Sequence, residues 1–121
     1  MKALTRLVNL IYLLRALRNS SQGLHWAIRS ERAFQQEILA FIAATVVALI
    51  LGDTTSDRAL MIFSVSLVLI LELVNSAIES VTDRVGAERH ELSGRAKDLA
   101  SAAVLLGILN AIAIWAVVLI Y

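Results

Sequence analysis

The sequence contains no cysteine and no proline. Without cysteine the chain can form no disulfide framework, no thiolate nucleophile and no cysteine-rich metal site. Without proline no helix is obliged to break. Charged residues are also few, at 17% of the 121 residues, and they nearly cancel to a net charge of +1. These absences allow long uninterrupted helices and restrict any chemistry to groups other than thiols.

Apolar residues dominate what is present. They make up 59% of the chain, and the mean hydropathy is +0.76. A soluble domain of this length could not bury so much apolar surface, so the composition predicts an integral membrane protein. Three apolar stretches, 33–51, 59–84 and 96–121, have about the ~20 residues that a helix needs to cross a bilayer. We therefore predict an all-α membrane protein with three membrane-spanning helices, in a single integral-membrane domain over 1–121.

The N-terminal segment has a different pattern. Apolar residues recur there at helical spacing among cationic ones, which predicts an amphipathic helix over 3–22 that lies on the membrane surface. The run NSSQG at 19–23 predicts a break. Ser30 is then a candidate N-cap for the first spanning helix. The connection 52–58 is predicted to be a tight polar turn between the first two spans.

Basic residues are distributed unevenly. Arg58 is the one basic residue of the first loop, and the other ten of the eleven Lys and Arg residues lie before the first span or in the second loop and the span ends that flank it. The positive-inside rule then predicts a multi-pass protein with its N-terminus and second loop in the cytoplasm and its C-terminus outside.

One face of the second span carries polar residues at membrane depth. Glu72, Asn75, Ser76, Glu79 and Asp83 recur at three- and four-residue steps, so a helix places them on one side. Glu72 and Asn75 are predicted to lie inside the membrane, near its cytoplasmic boundary. Ionisable groups at such depth are costly and indicate function. The alternative is a polar stripe that only joins helices, and Asp83 is predicted to be mainly a solvated helix end.

Three helices form a thin bundle that cannot shield these groups from lipid on every side. A homo-oligomer with sites between neighbouring subunits is the economical solution. Asn110, in the third span, is predicted to make a helix–helix hydrogen bond.

Two other polar clusters meet this face at the same boundary. They are Glu31, Gln36 and Glu37 at the start of the first span, and Glu88, Arg89, His90, Glu91, Arg95, Lys97 and Asp98 in the second loop and the start of the third span. Carboxylates hold hard cations and lysine meets phosphate oxygens, which fits magnesium–nucleotide chemistry. The chain has neither a Walker phosphate loop nor a GxGxxG motif, so a nucleotide site here would be of another kind.

The spacing of two carboxylates suits a reaction at a membrane boundary. Glu72 and Glu79 are seven residues apart, which is ~10 Å along a helix. Glu79 can reach a metal ion in water while Glu72 stays at the depth of the acyl chains. A reaction that joins a soluble nucleotide to a lipid hydroxyl needs this offset, with Glu72 as the base.

Three strings resemble the prokaryotic diacylglycerol kinase family: SERAFQQE (30–37), ELVNSAIE (72–79) and HELSGRAKD (90–98), the last followed by SAAV. The resemblance covers nearly the whole chain, in order and with the same spacings. It implies a homotrimeric enzyme of the bacterial inner membrane that uses ATP and Mg²⁺ to phosphorylate diacylglycerol to phosphatidic acid. Its partners would be ATP, the membrane lipid and further copies of itself, with no nucleic acid.

The resemblance also implies roles for single residues. Glu72 would be the catalytic base, Glu31 and Glu79 would hold the metal and the ATP phosphates, and Asn75 would support the site. The other ATP-binding residues would be Glu88, Arg89, His90, Lys97 and Asp98. The lipid would contact Glu72 and the residues Ala33, Phe34, Gln35, Gln36, Glu37, Ser101 and Trp115.

The chain departs from the family pattern in its surface helix. The family usually has an arginine at the position of Tyr12 and a tyrosine at that of Asn19, so contacts from this helix are in doubt. Gln35 replaces a family arginine. Two other functions stay open: an undecaprenol kinase of the same architecture, and a non-catalytic assembly or transport subunit. A transporter would be expected to spread its polar residues through the membrane, whereas here they cluster at one end.

Overall fold

A computed structural model describes residues 10–86 and 88–121 of the chain. It has four helices: α1 (Leu10–Ser30), α2 (Arg32–Leu51), α3 (Thr55–Val85) and α4 (Glu91–Ile120). Positions 3–9 of the predicted amphipathic helix lie outside the described residues. No strand occurs within the described ranges.

The helix α1 does not break at NSSQG. It continues through 19–23 to Ser30, so the predicted break is wrong. The penalty for a glycine or a small polar residue inside a helix is at most about 1 kcal/mol per position, and no proline is present to enforce a stop. Asn19 and Gly23 are exposed, and both have helical conformation.

The junction between α1 and α2 is a single residue. Glu31 occupies the N-cap position of α2 without a side-chain capping bond, and Ser30 closes α1, so the predicted Ser30 cap is wrong. The Glu31 amide still donates to the Ala27 carbonyl at 3.0 Å. Gln35 Nε2 donates to the Ile28 carbonyl at 2.8 Å, which ties the two helices together just beyond the junction.

The turn between α2 and α3 is shorter than predicted because Thr54 caps α3. Its hydroxyl accepts from the Asp57 amide at 3.1 Å, and the Thr54 amide donates to the Asp57 carboxylate at 2.9 Å, a capping box. The helix therefore starts at Thr55. Gly52 is buried in this turn, where an added Cβ would lie 2.7 Å from Arg58 Cγ and 2.8 Å from the Ala48 carbonyl oxygen.

The helix α3 lies between α2 and α4 and packs against both. Its contact with α4 is close, because a Cβ on Gly107 would lie 2.6 Å from Leu71 Cδ1. Val68, Val104 and Ala111 form the buried core beside this point. The structure also starts α4 at Glu91, before the predicted start at 96, since His90 Nδ1 accepts the Leu92 amide at 3.2 Å and caps the helix.

The outer surfaces of these helices are apolar. Large side chains such as Leu39, Phe63 and Leu106 are more than half exposed. The helices α2, α3 and α4 are each long and apolar enough to cross a membrane. This confirms the predicted all-α class with three helices of spanning length and composition.

Candidate active site

The polar residues of α3 do share one face, and that face is turned inward. Glu72, Asn75 and Ser76 are only 6%, 8% and 5% exposed, and Glu79 is half-buried. Their burial follows from the helical period, which places them on the side of α3 that also carries the buried Met61, Ser64 and Val68.

Asn75 connects two carboxylates of this face. Its Nδ2 donates to Glu79 Oε1 at 3.3 Å, and its side chain also interacts with the Glu72 carboxylate. Its Oδ1 is buried and accepts no hydrogen bond from the described residues. The Asn75 amide nitrogen is therefore bonded to Glu79, and its Oδ1 remains available as an acceptor.

The helix α2 brings two more carboxylates to this face. Glu31 interacts electrostatically with Glu72, and Glu37 does so from one and a half turns further along α2. Glu37 Oε2 is buried without a hydrogen-bond partner among the described residues. Four carboxylates from two helices are thus near one another, and their mutual repulsion is relieved only by protons or by a cation.

These groups do not form a complete metal site by themselves. Within the part of the chain that the structure describes, no three acidic or histidine side chains stand close enough to hold a metal ion. Magnesium is commonly held by one or two carboxylates together with water and substrate phosphates. The carboxylates of Glu31 and Glu79, together with the free oxygen of Asn75, are a donor set that fits a metal ion bound along with a nucleotide.

A cleft of about 650 Å³ lies where α3 ends and α4 begins, at the Asp83 end of this face. Four of the predicted ATP-binding residues line it: Glu88, Arg89, His90 and Lys97. Three others, Asp98, Glu31 and Glu79, do not line it. The structure therefore separates the predicted ATP-binding residues into a group that lines the cleft and a carboxylate pair, Glu31 and Glu79, that interacts with Glu72, whereas Asp98 is exposed on α4 and belongs to neither group.

Lys97 links the two groups. Its ammonium forms an ion pair with Asp83 and also interacts electrostatically with Glu79. The Asp83 side chain is 67% exposed, as expected for a helix end, but it is bonded rather than simply solvated. Sequence reasoning missed this pair because no local signal relates residues 14 positions apart on different helices.

Two predicted site residues at the start of α4 have structural bonds of their own: His90, which lines the cleft, and Arg95, which does not. His90 Nδ1 caps α4, and Arg95 forms a 2.6 Å ion pair with Glu91 one turn away. For His90 the capping bond occupies one ring nitrogen and leaves the other for a ligand.

The predicted lipid-contact residues fall into two places. Ala33, Gln35 and Gln36 are exposed at the start of α2, whereas Phe34 is buried.

Trp115 lies towards the other end of the bundle, where its Nε1 donates to the Met61 carbonyl at 3.2 Å. Met61 precedes Glu72 by eleven residues, or ~16 Å along α3, so Trp115 is not brought together with Glu72. Ser101 is exposed on α4.

An apolar groove adjoins the carboxylates on the membrane side. It measures about 240 Å³, and Glu37 is its one charged lining residue. The others are Ala40, Val65, Val68, Ile108, Ala111 and Ile112. No sequence signal identified it, because its lining comes from three helices. A groove of this kind offers an acyl chain an apolar surface that ends at a carboxylate.

Comparison with known proteins finds consistent similarity to one enzyme family. The family model for prokaryotic diacylglycerol kinase matches residues 18–119. The chain is 49% identical over 107 residues to a diacylglycerol kinase of Escherichia coli (strain K12), covering 88% of each chain. It is 45% identical over 114 residues to one of Haemophilus influenzae, covering 93% of this chain and 95% of the relative. Identity to one of Pseudomonas aeruginosa is 43% over 108 residues.

Proposed function

Because the chain belongs to the prokaryotic diacylglycerol kinase family, we propose that it transfers the γ-phosphoryl group of ATP to the free hydroxyl of diacylglycerol, which yields phosphatidic acid and ADP. The similarity to diacylglycerol kinases confirms the family and the kinase class predicted from the sequence. The residue roles, the metal, the trimer and the orientation given below are our proposals.

One observation supports the proposal most directly. Along α3, the buried carboxylate Glu72 comes one turn after Val68, which lines the apolar groove, and ten residues, or ~15 Å, before Thr82, where the lining of the polar cleft begins. In the proposed reaction a lipid hydroxyl would approach Glu72 from the groove side, and the phosphate chain of a nucleotide would extend towards it from the cleft side. Neither a soluble kinase nor a helix-joining polar stripe needs this arrangement.

The reaction needs little covalent chemistry from the protein. Glu72 accepts the proton of the lipid hydroxyl as the hydroxyl oxygen attacks the γ-phosphorus in line with the bond to the departing ADP oxygen. The P–O bond to ADP breaks as the new P–O bond forms. Asn75, bonded to Glu79 and next to Glu72, keeps the base aligned with the phosphoryl group.

Mg²⁺ is proposed as the cofactor, and Glu31 and Glu79 as its protein ligands. Both carboxylates interact with Glu72, and a cation held by them would relieve the repulsion among these groups. The ion supplies neutralisation of phosphate charge when bound. Glu88, Arg89, His90, Lys97 and Asp98 are proposed to bind the rest of the nucleotide.

The apolar groove and the start of α2 are proposed to hold the lipid. The groove would take an acyl chain, and the polar side chains of Gln35, Gln36 and Glu37 would meet the glycerol backbone. The other proposed lipid contacts are Ala33, Phe34, Ser101 and Trp115. Trp115 would contact only the far end of an acyl chain, because it lies at the other end of the bundle.

The protein is proposed to act as a homotrimer in the bacterial inner membrane. Large apolar side chains remain exposed on all the spanning helices, and Glu79 is only half-buried by its own chain. Further copies would cover that polar edge. The excess of basic residues at the α3–α4 end supports the proposal that the N-terminus and the cleft lie in the cytoplasm, where ATP is available.

Phosphate transfer in mixed micelles tests the function. Purified protein is incubated with radiolabelled ATP and magnesium in micelles that contain diacylglycerol, undecaprenol or neither lipid. We expect labelled phosphatidic acid with diacylglycerol and little product with undecaprenol. Faster labelling of undecaprenol would identify the sister kinase, and no labelling of either lipid would favour an assembly or transport subunit.

Removing the proposed metal ligands is expected to weaken nucleotide binding. Glu31→Gln and Glu79→Gln each delete a carboxylate charge that Mg²⁺ requires. Each variant should raise the KM for MgATP by roughly tenfold or more, and the defect should ease partly at high magnesium. Asp53→Asn, in the exposed turn at the other end of α3, is the control. Unchanged nucleotide binding with unchanged magnesium dependence in both variants contradicts the metal assignment.

Reporter fusions are expected to place the two ends of α4 on opposite sides of the membrane. A cytoplasmic reporter inserted near residue 90 should be active, because the basic residues around it are retained inside. A reporter fused after Tyr121 should give a signal only if it is of a type that is active outside the cytoplasm. The reverse pattern would put the cleft on the side without ATP and contradict the orientation.

A further inference from the structure

The described residues, 10–86 and 88–121, contain two ion pairs, and one of them joins two helices. Arg95 and Glu91 are one turn apart on α4. Lys97, by contrast, donates from Nζ to Oδ1 of Asp83, so this pair ties the start of α4 to the end of α3. Asp83 has no role in the reaction as proposed above.

The Asp83–Lys97 pair contributes little to stability. The Asp83 side chain is 67% exposed and that of Lys97 is 41% exposed. Exposed pairs of this kind contribute little to the stability of a fold, because water and salt screen the two charges. The helices are already held together by the apolar packing at Leu71 and Gly107 and by the bond from Trp115 to Met61. The stability of the fold therefore does not account for this ion pair, and its position between α3 and α4 needs another explanation.

Both members of the pair line the 650 Å³ cleft. A lysine ammonium has three N–H donors and no acceptor. One donor is given to Asp83, and two remain for the oxygens of a phosphate group. A free lysine side chain has considerable rotamer entropy. A lysine that is already fixed in the cleft loses less of it when a nucleotide binds.

Glu79 is the alternative partner of Lys97. The ammonium interacts electrostatically with both Asp83 and Glu79, and these residues are four positions apart on α3, one turn of the same face. Without Asp83, Lys97 would turn towards Glu79. That pairing would neutralise a carboxylate that the nucleotide-bound metal needs, and it would move the ammonium away from the phosphates.

We propose that Asp83 is a positioning residue for phosphoryl transfer, which anchors the Lys97 ammonium in the cleft and keeps it from pairing with Glu79. This inference rests on the proposed kinase function. Asp83 touches neither the reacting atoms nor the metal ion, and it acts through Lys97.

The first test compares Asp83→Asn with Asp83→Glu and with Asp53→Asn, the same charge loss in the exposed turn at the opposite end of α3. Asp83→Asn should raise the KM for ATP about tenfold, leave the KM for diacylglycerol within twofold and preserve oligomer mass. Asp83→Glu should recover most of the ATP affinity, because the carboxylate is retained. An unchanged KM for ATP in Asp83→Asn, or an equal rise in both KM values, would overturn the proposal.

The second test asks whether Asp83 acts through Lys97. ATP binding is titrated in the absence of lipid for wild type, Asp83→Asn, Lys97→Leu and the double variant. If Asp83 acts only by positioning Lys97, the double variant should bind ATP no more weakly than Lys97→Leu alone. Additive losses would show an independent effect of Asp83 and overturn the proposal.

The two tests also separate this inference from the function. If wild-type protein transfers no phosphate to either lipid, the kinase proposal fails. If wild type is active and Asp83→Asn behaves like Asp53→Asn, only the role of Asp83 fails.

Discussion

Replacing Glu72 with glutamine is expected to lower phosphate transfer by roughly 10²-fold or more, while the protein still folds, assembles and binds ATP. Glutamine keeps the size and most of the hydrogen bonding of the side chain but cannot accept the proton of the lipid hydroxyl. Its neutral amide also costs less to bury than a carboxylate, so the fold should not suffer. The transfer rate from radiolabelled ATP, the oligomer mass and the ATP affinity are measured on the same preparation.

Two features of the Glu72→Gln experiment make its outcome decisive. The loss should lie in kcat rather than in the KM for ATP, because Glu72 does not line the nucleotide cleft. Asp53→Asn is the control for loss of an acidic charge far from the site. Near-normal turnover in a correctly assembled Glu72→Gln protein would rule out the base assignment and direct attention to Glu37, the carboxylate that lines the groove.

Replacing Lys97 with leucine should lower activity by roughly 10²- to 10³-fold, as expected when a charged group that stabilises a transferring phosphoryl group is removed. Leucine keeps a bulky side chain at the membrane boundary, so a lysine that served only as an anchor would tolerate the change. The lost ion pair with Asp83 is exposed and costs little stability. Lys97→Arg should recover activity only in part, because the larger guanidinium fork displaces the charge.

Arg84 provides a matched control for Lys97. It is an exposed cation at the same end of α3, next to Asp83 in the sequence, and it does not line the cleft. Arg84→Leu should therefore keep most of the transfer activity. Phosphate transfer and oligomer mass are measured for all variants together. Full activity in Lys97→Leu would make Lys97 an anchor and leave Arg89, His90 and Arg95 as the candidates for phosphate binding.

The sequence alone determined the features that depend on local periodicity and composition. Three apolar helices of spanning length follow from uninterrupted apolar runs, since no proline breaks them. The shared face of Glu72, Asn75 and Ser76 follows from the 3.6-residue repeat, which holds whatever the helix packs against. The strings that resemble diacylglycerol kinases indicated the family, and the comparisons confirmed it.

Helix boundaries were less predictable, because they depend on small energy differences. NSSQG resembles a break, yet no residue in it costs the helix more than about 1 kcal/mol, and α1 continues. The start of α3 moved to Thr55 because Thr54 and Asp57 cap each other, and α4 began early because His90 caps it.

Only the tertiary structure decided which helices bring their polar residues together. Glu37 lies beside Glu72, and Asp83 pairs with Lys97, because of the rotation and crossing of α2, α3 and α4 about one another. The apolar groove depends on the same packing, since its lining comes from all three helices. Spacing along a chain specifies the face of each helix, but contacts between helices depend on how bulky and small side chains interlock, such as Leu71 against Gly107.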